Sequence, residues 1–575
     1  MRARIVAVAV TVGWLAAAGL SGQEKPAAAR PPENQVGGLR FVDTSEVTVV
    51  NVDVAVTYKG DVVRGLKATD FELYQDGKLQ EITNFAFISL SPQAPPAPSG
   101  TPAEEGPEVT LAPPVAYKRE PRFIAIYVDN ENIQPFNRNR VLNRLDEWIQ
   151  EHLAPPDQAM VVAYQRSLKV LQPFTSRTEL IVDALRPLRR YTGGRSTVDS
   201  ERRRIEDEIK QAAQKTSSSG SSSALERAIG QARSFAREQR NDLQFTIGAL
   251  QEFIGMMAGL PGKKSIVYVS DGLPMSPGME LFYAIQDEWR DVSLMTQAME
   301  FDATSLYRSL VTSATAAGVT FYTIDARGLE SALGIEAEHR TARSTMAAAA
   351  LRSNYQDSLL YMAEQTGGVA IVNTNDVKPG LERIAEQFEN YYWLGYRLEP
   401  SGKDRPHRIE VKVKGHPEYT LSFRRTFIEK TLPTLIGDRV MSGLVFDLED
   451  NPLEVTALSG EPVPAANGRW TLPVEVRVPM AKVALIPDGD NLVGYVMVYY
   501  AARDAEGKQS DLQRVEHTVT VPRQEYEKAT GMHFTFTASL LLEPGTYRIS
   551  VGVRDQLTNQ AGYAAFRKAV HPETS

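Results

Sequence analysis

The sequence predicts an α/β protein: a doubly wound, mostly parallel sheet flanked by all-β modules of immunoglobulin-like type. Three observations predict it. Between Arg122 and Tyr396 short continuous apolar runs alternate with amphipathic segments, the pattern of buried strands and covering helices. On both sides of that region apolar and polar residues alternate, as in half-buried strands. A Pro-rich stretch over 91–121 separates the first β segment from the α/β region.

The elements follow in order. Arg2 and Arg4 precede an apolar run from Ile5 to Leu20, then small residues at Ser21 and Gly22, which predicts a signal peptide over 1–22. The run is shorter than the roughly 20 residues a spanning helix needs; an uncleaved anchor is the alternative. A flexible spacer is expected over 23–40. Val50, Val52, Val54 and Val56 alternate with polar or small residues, and Asp76-Gly77 signals a hairpin, so 41–90 reads as an N-terminal β module.

In the α/β region (122–398) Phe123–Val128 is a strand buried on both faces, and Val141, Leu145, Trp148 and Ile149 share a helical face. Further strands are expected at 160–164, 170–174, 266–269, 319–324 and 369–372. Residues 192–223, charged and then Ser-rich, read as an insertion ending in a tether. Arg202–Arg204, with acidic neighbours, read as a solvated helix face. Leu243, Ile247, Leu250, Ile254 and Met257 form a stripe expected to pack on the sheet. Strands over 399–430 are expected to pair with the N-terminal module, because neither β segment alone has enough strands to bury a face. From 431 to 575 a β-sandwich is expected, its first strand at Val440–Phe446.

Composition narrows the function classes. The 575 residues include no cysteine, which excludes disulfides, thiolate metal sites and cysteine nucleophiles. A net charge of −8 argues against nucleic acid as the main partner. No His-Glu-x-x-His spacing supports zinc hydrolysis, and Lys263-Lys264 lacks the run of a phosphate loop, so it reads as a solvated turn. Tyr391, Tyr392, Trp393 and Tyr396 read as core filler rather than as a carbohydrate platform.

In an open α/β sheet ligands bind outside the carboxyl ends of the strands. Asp129 and Asp271 close two strands there. Either they converge on a hard cation, which takes oxygen ligands, or they cap loops and helix ends.

The stretches RFIAIYVDNEN, LKVLQPFT, LPGKKSIVYVSDGLP and YYWLGYRLEP, with LKATDFELYQDGKLQEITNF upstream, resemble von Willebrand factor type A-related proteins of the acidobacterial group. The resemblance covers roughly 41–427. It implies a metal-ion-dependent adhesion site built from an Asp-x-Ser-x-Ser loop, a distant Thr and a distant Asp. The first Asp maps to Asp129 and the last to Asp271, with Thr197 the nearest residue for the Thr. Glu131 and Ile133 stand where the serines belong. Ile133 supplies no oxygen and Glu131 adds a negative charge, so the expected site is degenerate; any cofactor is Mg2+ or another divalent cation.

The resulting expectation is a secreted or periplasmic, non-enzymatic binding protein of adhesion type, with a protein partner and no transmembrane helix after signal cleavage. The competing readings are a metal-dependent hydrolase using the same aspartates and an envelope scaffold with no exchangeable ligand.

Overall fold

A computed structural model describes residues 48–89, 121–215, 221–290, 294–329, 345–448 and 450–570. The expected signal peptide, the spacer and all but the last residue of the Pro-rich linker lie outside them. Two compact units divide the chain: one comprises Val50–Arg397 with Gly402–Phe446, the other Asp447 onward with Leu398–Ser401 and the described residues 48–49.

The first unit holds a six-stranded sheet. Its strands are β1 (Arg122–Asp129), β2 (Gln158–Gln165), β3 (Ser167–Thr175), β4 (Lys263–Ser270), β5 (Val319–Asp325) and β6 (Ala370–Ile371), in the spatial order β6-β5-β4-β1-β2-β3. All neighbours are parallel except β2 and β3, which form an antiparallel edge pair. Continuous apolar runs form the central strands because both faces are covered. Phe123, Ala125 and Tyr127 enter one apolar cluster, and Ile124, Ile126 and Val128 enter another on the opposite face. Chain order reverses between β1 and β4, which leaves a crevice at the carboxyl ends of those two strands.

Helices supply the two covers. On one face α1 (Pro135–His152) buries Val141, Leu142, Leu145, Trp148 and Ile149, with α2 (Thr178–Leu185) beside it. The expected insertion is helical where it is described: α3 (Arg195–Lys215) packs on α4 (Ser221–Met257). Ser221–Ser223 belong to α4, not to a tether, and Thr216–Gly220 lie outside the described residues. Leu243, Ile247, Leu250, Ile254 and Met257 of α4 are buried in the cluster on the other sheet face.

Strands on either side of the α/β region pair with one another. Thr420–Ser422 pairs with Thr48–Tyr58, and Arg405–Val413 pairs with Phe71–Gln75. Asn390–Leu398, assigned from sequence to the α/β region, is also a strand here and pairs with Ile82–Ser89. Its residues alternate in role: Tyr392 is buried against Phe71, Phe85 and Phe87, while Tyr391 and Trp393 line a cavity.

Buried His407 fastens this module. Its Nδ1 lies 2.8 Å from Asp76 Oδ2, at the N-terminal hairpin, and its Nε2 lies 3.3 Å from Glu429 Oε2. His407→Ala should therefore destabilise the first unit by about 1–3 kcal/mol, since it removes a buried side chain together with its polar contacts to Asp76 and Glu429. Urea unfolding checks this; an unchanged midpoint would remove His407 as a fastener.

The strand expected at Val440–Phe446 is instead the end of a helix, Leu432–Gly443. Pro433 sits in its first turn, and Ile436 and Val440 bury one face at four-residue spacing. Ser442 Oγ donates to Met256 O at 2.7 Å and accepts from Gly259 N, fixing the helix to the end of α4.

In the second unit two antiparallel sheets, centred on Trp470–Pro479 with His533–Leu542 and on Asn491–Asp504 with Gly545–Asp555, share one apolar cluster. No helix among the described residues is long and apolar enough to cross a membrane.

Candidate functional site

The crevice at the strand ends is built from the loop after β1. Asp129 ends β1 and is fully buried, and the chain then turns through Asn130–Ile133 into α1. The loop from Thr192 to Gly194 packs directly on this turn. A Cβ on Gly193 would lie 2.1 Å from Ile133 O, and one on Gly194 would lie 2.6 Å from Glu131 O, so only glycine fits at either position. Gly194 N donates to Asn130 O, and Asn130 Nδ2 donates to Thr192 O at 2.8 Å.

Both aspartates are enclosed by protein donors. Asn132 donates from its backbone N to Asp129 Oδ1 at 3.1 Å and from Nδ2 to both carboxylate oxygens at 3.1 and 3.0 Å. The Tyr268 hydroxyl donates to Asp129 Oδ2 from below. Asp271, 1% exposed, accepts from Gln134 N at 2.8 Å and from Asn137 Nδ2 at 3.0 and 3.1 Å. Each of the four carboxylate oxygens thus faces at least one N–H or O–H.

Burial dominates the electrostatics. It pushes Asp129 up to about 6, against the hydrogen bonds from Tyr268 and Asn132. It pushes Asp271 up to about 7, against Gln134 N and the charge of Arg195.

The other predicted positions do not join them. Glu131 is half-buried and lies 3.8 Å from Arg166 Nε. Thr197 is exposed in the first turn of α3, because the two glycines bend the chain back before that helix starts. Thr192, which sequence reasoning passed over, sits nearer, although through its carbonyl. The carbonyls of Asn130 and Asn132 are engaged too: Asn130 Oδ1 accepts from Arg138, and Asn132 O accepts from Asp271 N and Ser270 Oγ.

A charged network that the sequence concealed lies beside the crevice. Arg195 stacks over the Tyr355 ring at 4.0 Å and reaches Asp199 at 3.3 Å, and Gln134 Nε2 donates to Asp199 Oδ2 at 2.8 Å. Arg202, read from sequence as solvated, is 3% exposed and pairs with Asp199 and Glu206; Arg204 does face solvent. The i, i+4 acid–base spacing of α3 was visible, but not which pairs turn inward.

Two large apolar side chains are exposed on segments that follow the carboxyl ends of the strands: Phe136, 76%, at the start of α1, and Leu329, 58%, after β5. Elsewhere, His152 Nε2 lies 3.1 Å from Glu382 Oε2 where α1 meets the helix Lys378–Glu389, an ion pair far down the same helix.

No family model and no curated protein matches the chain. Among solved structures it is similar to a von Willebrand factor type A protein from Catenulispora acidiphila, at 9% identity over 79% of this chain and 68% of that one, TM-score 0.21. It is similar to BatB from Bacteroides thetaiotaomicron at 11% identity over 47% and 96%, TM-score 0.21. The three N-terminal domains of the type V pili tip protein Mfa5 from Porphyromonas gingivalis match at 10% identity over 91% and 78%, TM-score 0.24. At these scores the site is read from its own geometry.

Proposed function

We propose that this chain is an exported, non-enzymatic binding protein. In this reading a doubly wound domain of von Willebrand factor type A kind presents its strand-end face to a protein partner, and a degenerate site makes that contact independent of metal. The closer kinship to the acidobacterial group rests on the sequence motifs quoted above. Phe136 and Leu329 carry the reading. Exposed apolar side chains are suited to anchor a partner, and both stand on segments that follow strand carboxyl ends, the side on which open α/β sheets bind.

Two features support metal independence. Asn132 and Asn137 turn amide N–H groups, not oxygens, toward the carboxylates, whereas a divalent cation needs oxygen ligands there. The carbonyls of Asn130 and Asn132 are committed to protein donors as well. The same enclosure speaks against a hydrolase that uses these aspartates, since each oxygen of Asp129 and Asp271 already faces a protein donor.

The test is retention of envelope proteins on the immobilised chain, followed by affinity measurement with the partner identified. Phe136→Ala should weaken binding by about tenfold, the effect of losing an interface anchor worth roughly 1.4 kcal/mol, and a chelator should leave affinity unchanged. Loss of binding in chelator would reject metal independence. Equal binding by Phe136→Ala and Leu329→Ala would reject this face as the interface.

A further inference from the structure

The amino-terminal edge of the parallel sheet, about 23 Å along β1 from Asp129 at 3.3 Å per residue, encloses a cavity of about 500 Å3. Its floor is formed by the starts of β1, β4 and β5, and its walls by the β module: the strands that contain Asp53, Tyr391 and Trp393, and the loop between Thr420–Ser422 and Thr426–Glu429 that carries Arg424. Ligand cavities of this size and mixed lining are typical of small-molecule sites.

The lining is cationic. Arg122, Lys263, Lys264 and Arg424 all border the cavity, and Asp53 is the one carboxylate among its lining residues. Asp53 is taken by Lys263, at 2.7 Å. Arg122 is paired with Asp157 through Nε, at 2.9 Å, and through one terminal nitrogen. The other terminal nitrogen of Arg122 has no hydrogen-bond partner, although the residue is 6% exposed. Arg424 donates one terminal nitrogen to Gly318 O at 3.2 Å, and its buried Nε is unpartnered. Lys264 Nζ reaches only carbonyls, Leu260 O at 2.8 Å and Ala258 O at 3.4 Å. Among the described residues no ion pair joins Lys264 or Arg424 to a carboxylate.

Half-buried cations that no carboxylate pairs, here Lys264 and Arg424, carry a cost, because each loses hydration and they repel one another. An anion in the cavity removes both penalties and gives the orphaned N–H groups their acceptors. Phe388, Tyr391, Trp393, Phe423 and Phe427 give the lining an aromatic part, which suits an apolar or aromatic body. We propose that this cavity binds a small organic oxyanion, a phosphate or carboxylate carried on an apolar or aromatic group. It is a second site, separate from the strand-end face and independent of the reading given there.

The state of Lys264 agrees. Burial, with Arg424 and Lys430, pushes its amine down to about 8, and Arg439 adds to this while Asp438 opposes it. A bound oxyanion raises it again, so binding takes up protons near pH 8 and weakens above that pH.

Isothermal titration of the full chain with phenyl phosphate, phenylacetate, inorganic phosphate and phenol tests the proposal. One site per chain should bind phenyl phosphate or phenylacetate saturably, inorganic phosphate more weakly, and phenol not at all. The preferred head group decides between phosphate and carboxylate. Arg424→Gln should weaken binding at least about tenfold, as loss of a charge-assisted contact does. Lys264→Met should do the same while raising the unfolding midpoint of the ligand-free protein, which a merely structural lysine would lower. If Arg424→Gln does not fold, Lys264→Met decides alone. Absence of saturable binding by either organic anion, equal binding of phenol, or unchanged affinity in a folded Lys264→Met protein would overturn it.

Discussion

Replacing Phe253 by alanine is expected to destabilise the first unit by about 3–5 kcal/mol, the range for deleting a buried aromatic side chain. Phe253 is fully buried on α4, with its ring 5.6 Å from Tyr127 of β1, in the cluster that fills one face of the central sheet. Phe245 provides the contrast. It lies on the same helix but is 65% exposed, and its alanine variant should stay within about 0.5 kcal/mol of the parent. Urea midpoints read both. Similar losses at the two positions would mean that α4 is not held on the sheet in the register described.

The second large effect is on pH dependence. Asp129 and Asp271 are raised from 3.8 to about 6 and about 7 in the folded protein, burial being the main cause. Between the unfolded and folded values the native state binds more protons than the unfolded one, so stability falls as pH rises. Their contribution is fully present below the unfolded value and is lost as pH passes through 6 and then 7. At about 1.4 kcal/mol per unit, the two together predict a loss of roughly 4 kcal/mol between pH 5 and pH 8. Asp271→Asn, which keeps the shape without the charge, should flatten the larger part of that slope. A midpoint that rises from pH 5 to pH 8, or an Asp271→Asn slope equal to the parent's, would contradict the assignment.

Much of the first unit was legible because its physics is periodic. Phe123–Val128 is uninterruptedly apolar since its residues alternate into two separate cores, and the stripe on α4 repeats at helical spacing. The helix Leu432–Gly443 was misread because Val440–Phe446 is a short, mostly apolar stretch, which periodicity alone cannot assign to strand or helix. Thr431 at its start and Pro433 in its first turn were the signal that could have decided it. Asn390–Leu398 was placed in the wrong layer for a similar reason: its aromatic residues serve the β module on one side and the cavity on the other.

The site was legible only in part. The two aspartates could be placed at strand ends from the runs that precede them, but the direction in which Asn132 and Asn137 turn their amides could not. Thr197 was selected by proximity in sequence, whereas Gly193 and Gly194 bring Thr192 to the turn. The paired glycines were the available clue. Lys263-Lys264 looked like a solvated turn because a sequence does not show that the loop bearing Arg424 borders the same cavity.

In the proposed reading the strand-end aspartates are satisfied by protein donors and need no cation. It is tested most directly by thermal unfolding at neutral pH, first in chelator and then in millimolar magnesium, manganese or calcium. A ligand stabilises the native state by RT ln(1 + [L]/Kd), so a site without affinity leaves the midpoint where it was, and Asp129→Ala leaves the response to metal unchanged. A rise of many degrees with one cation, abolished by Asp129→Ala or Asp271→Ala, would contradict it.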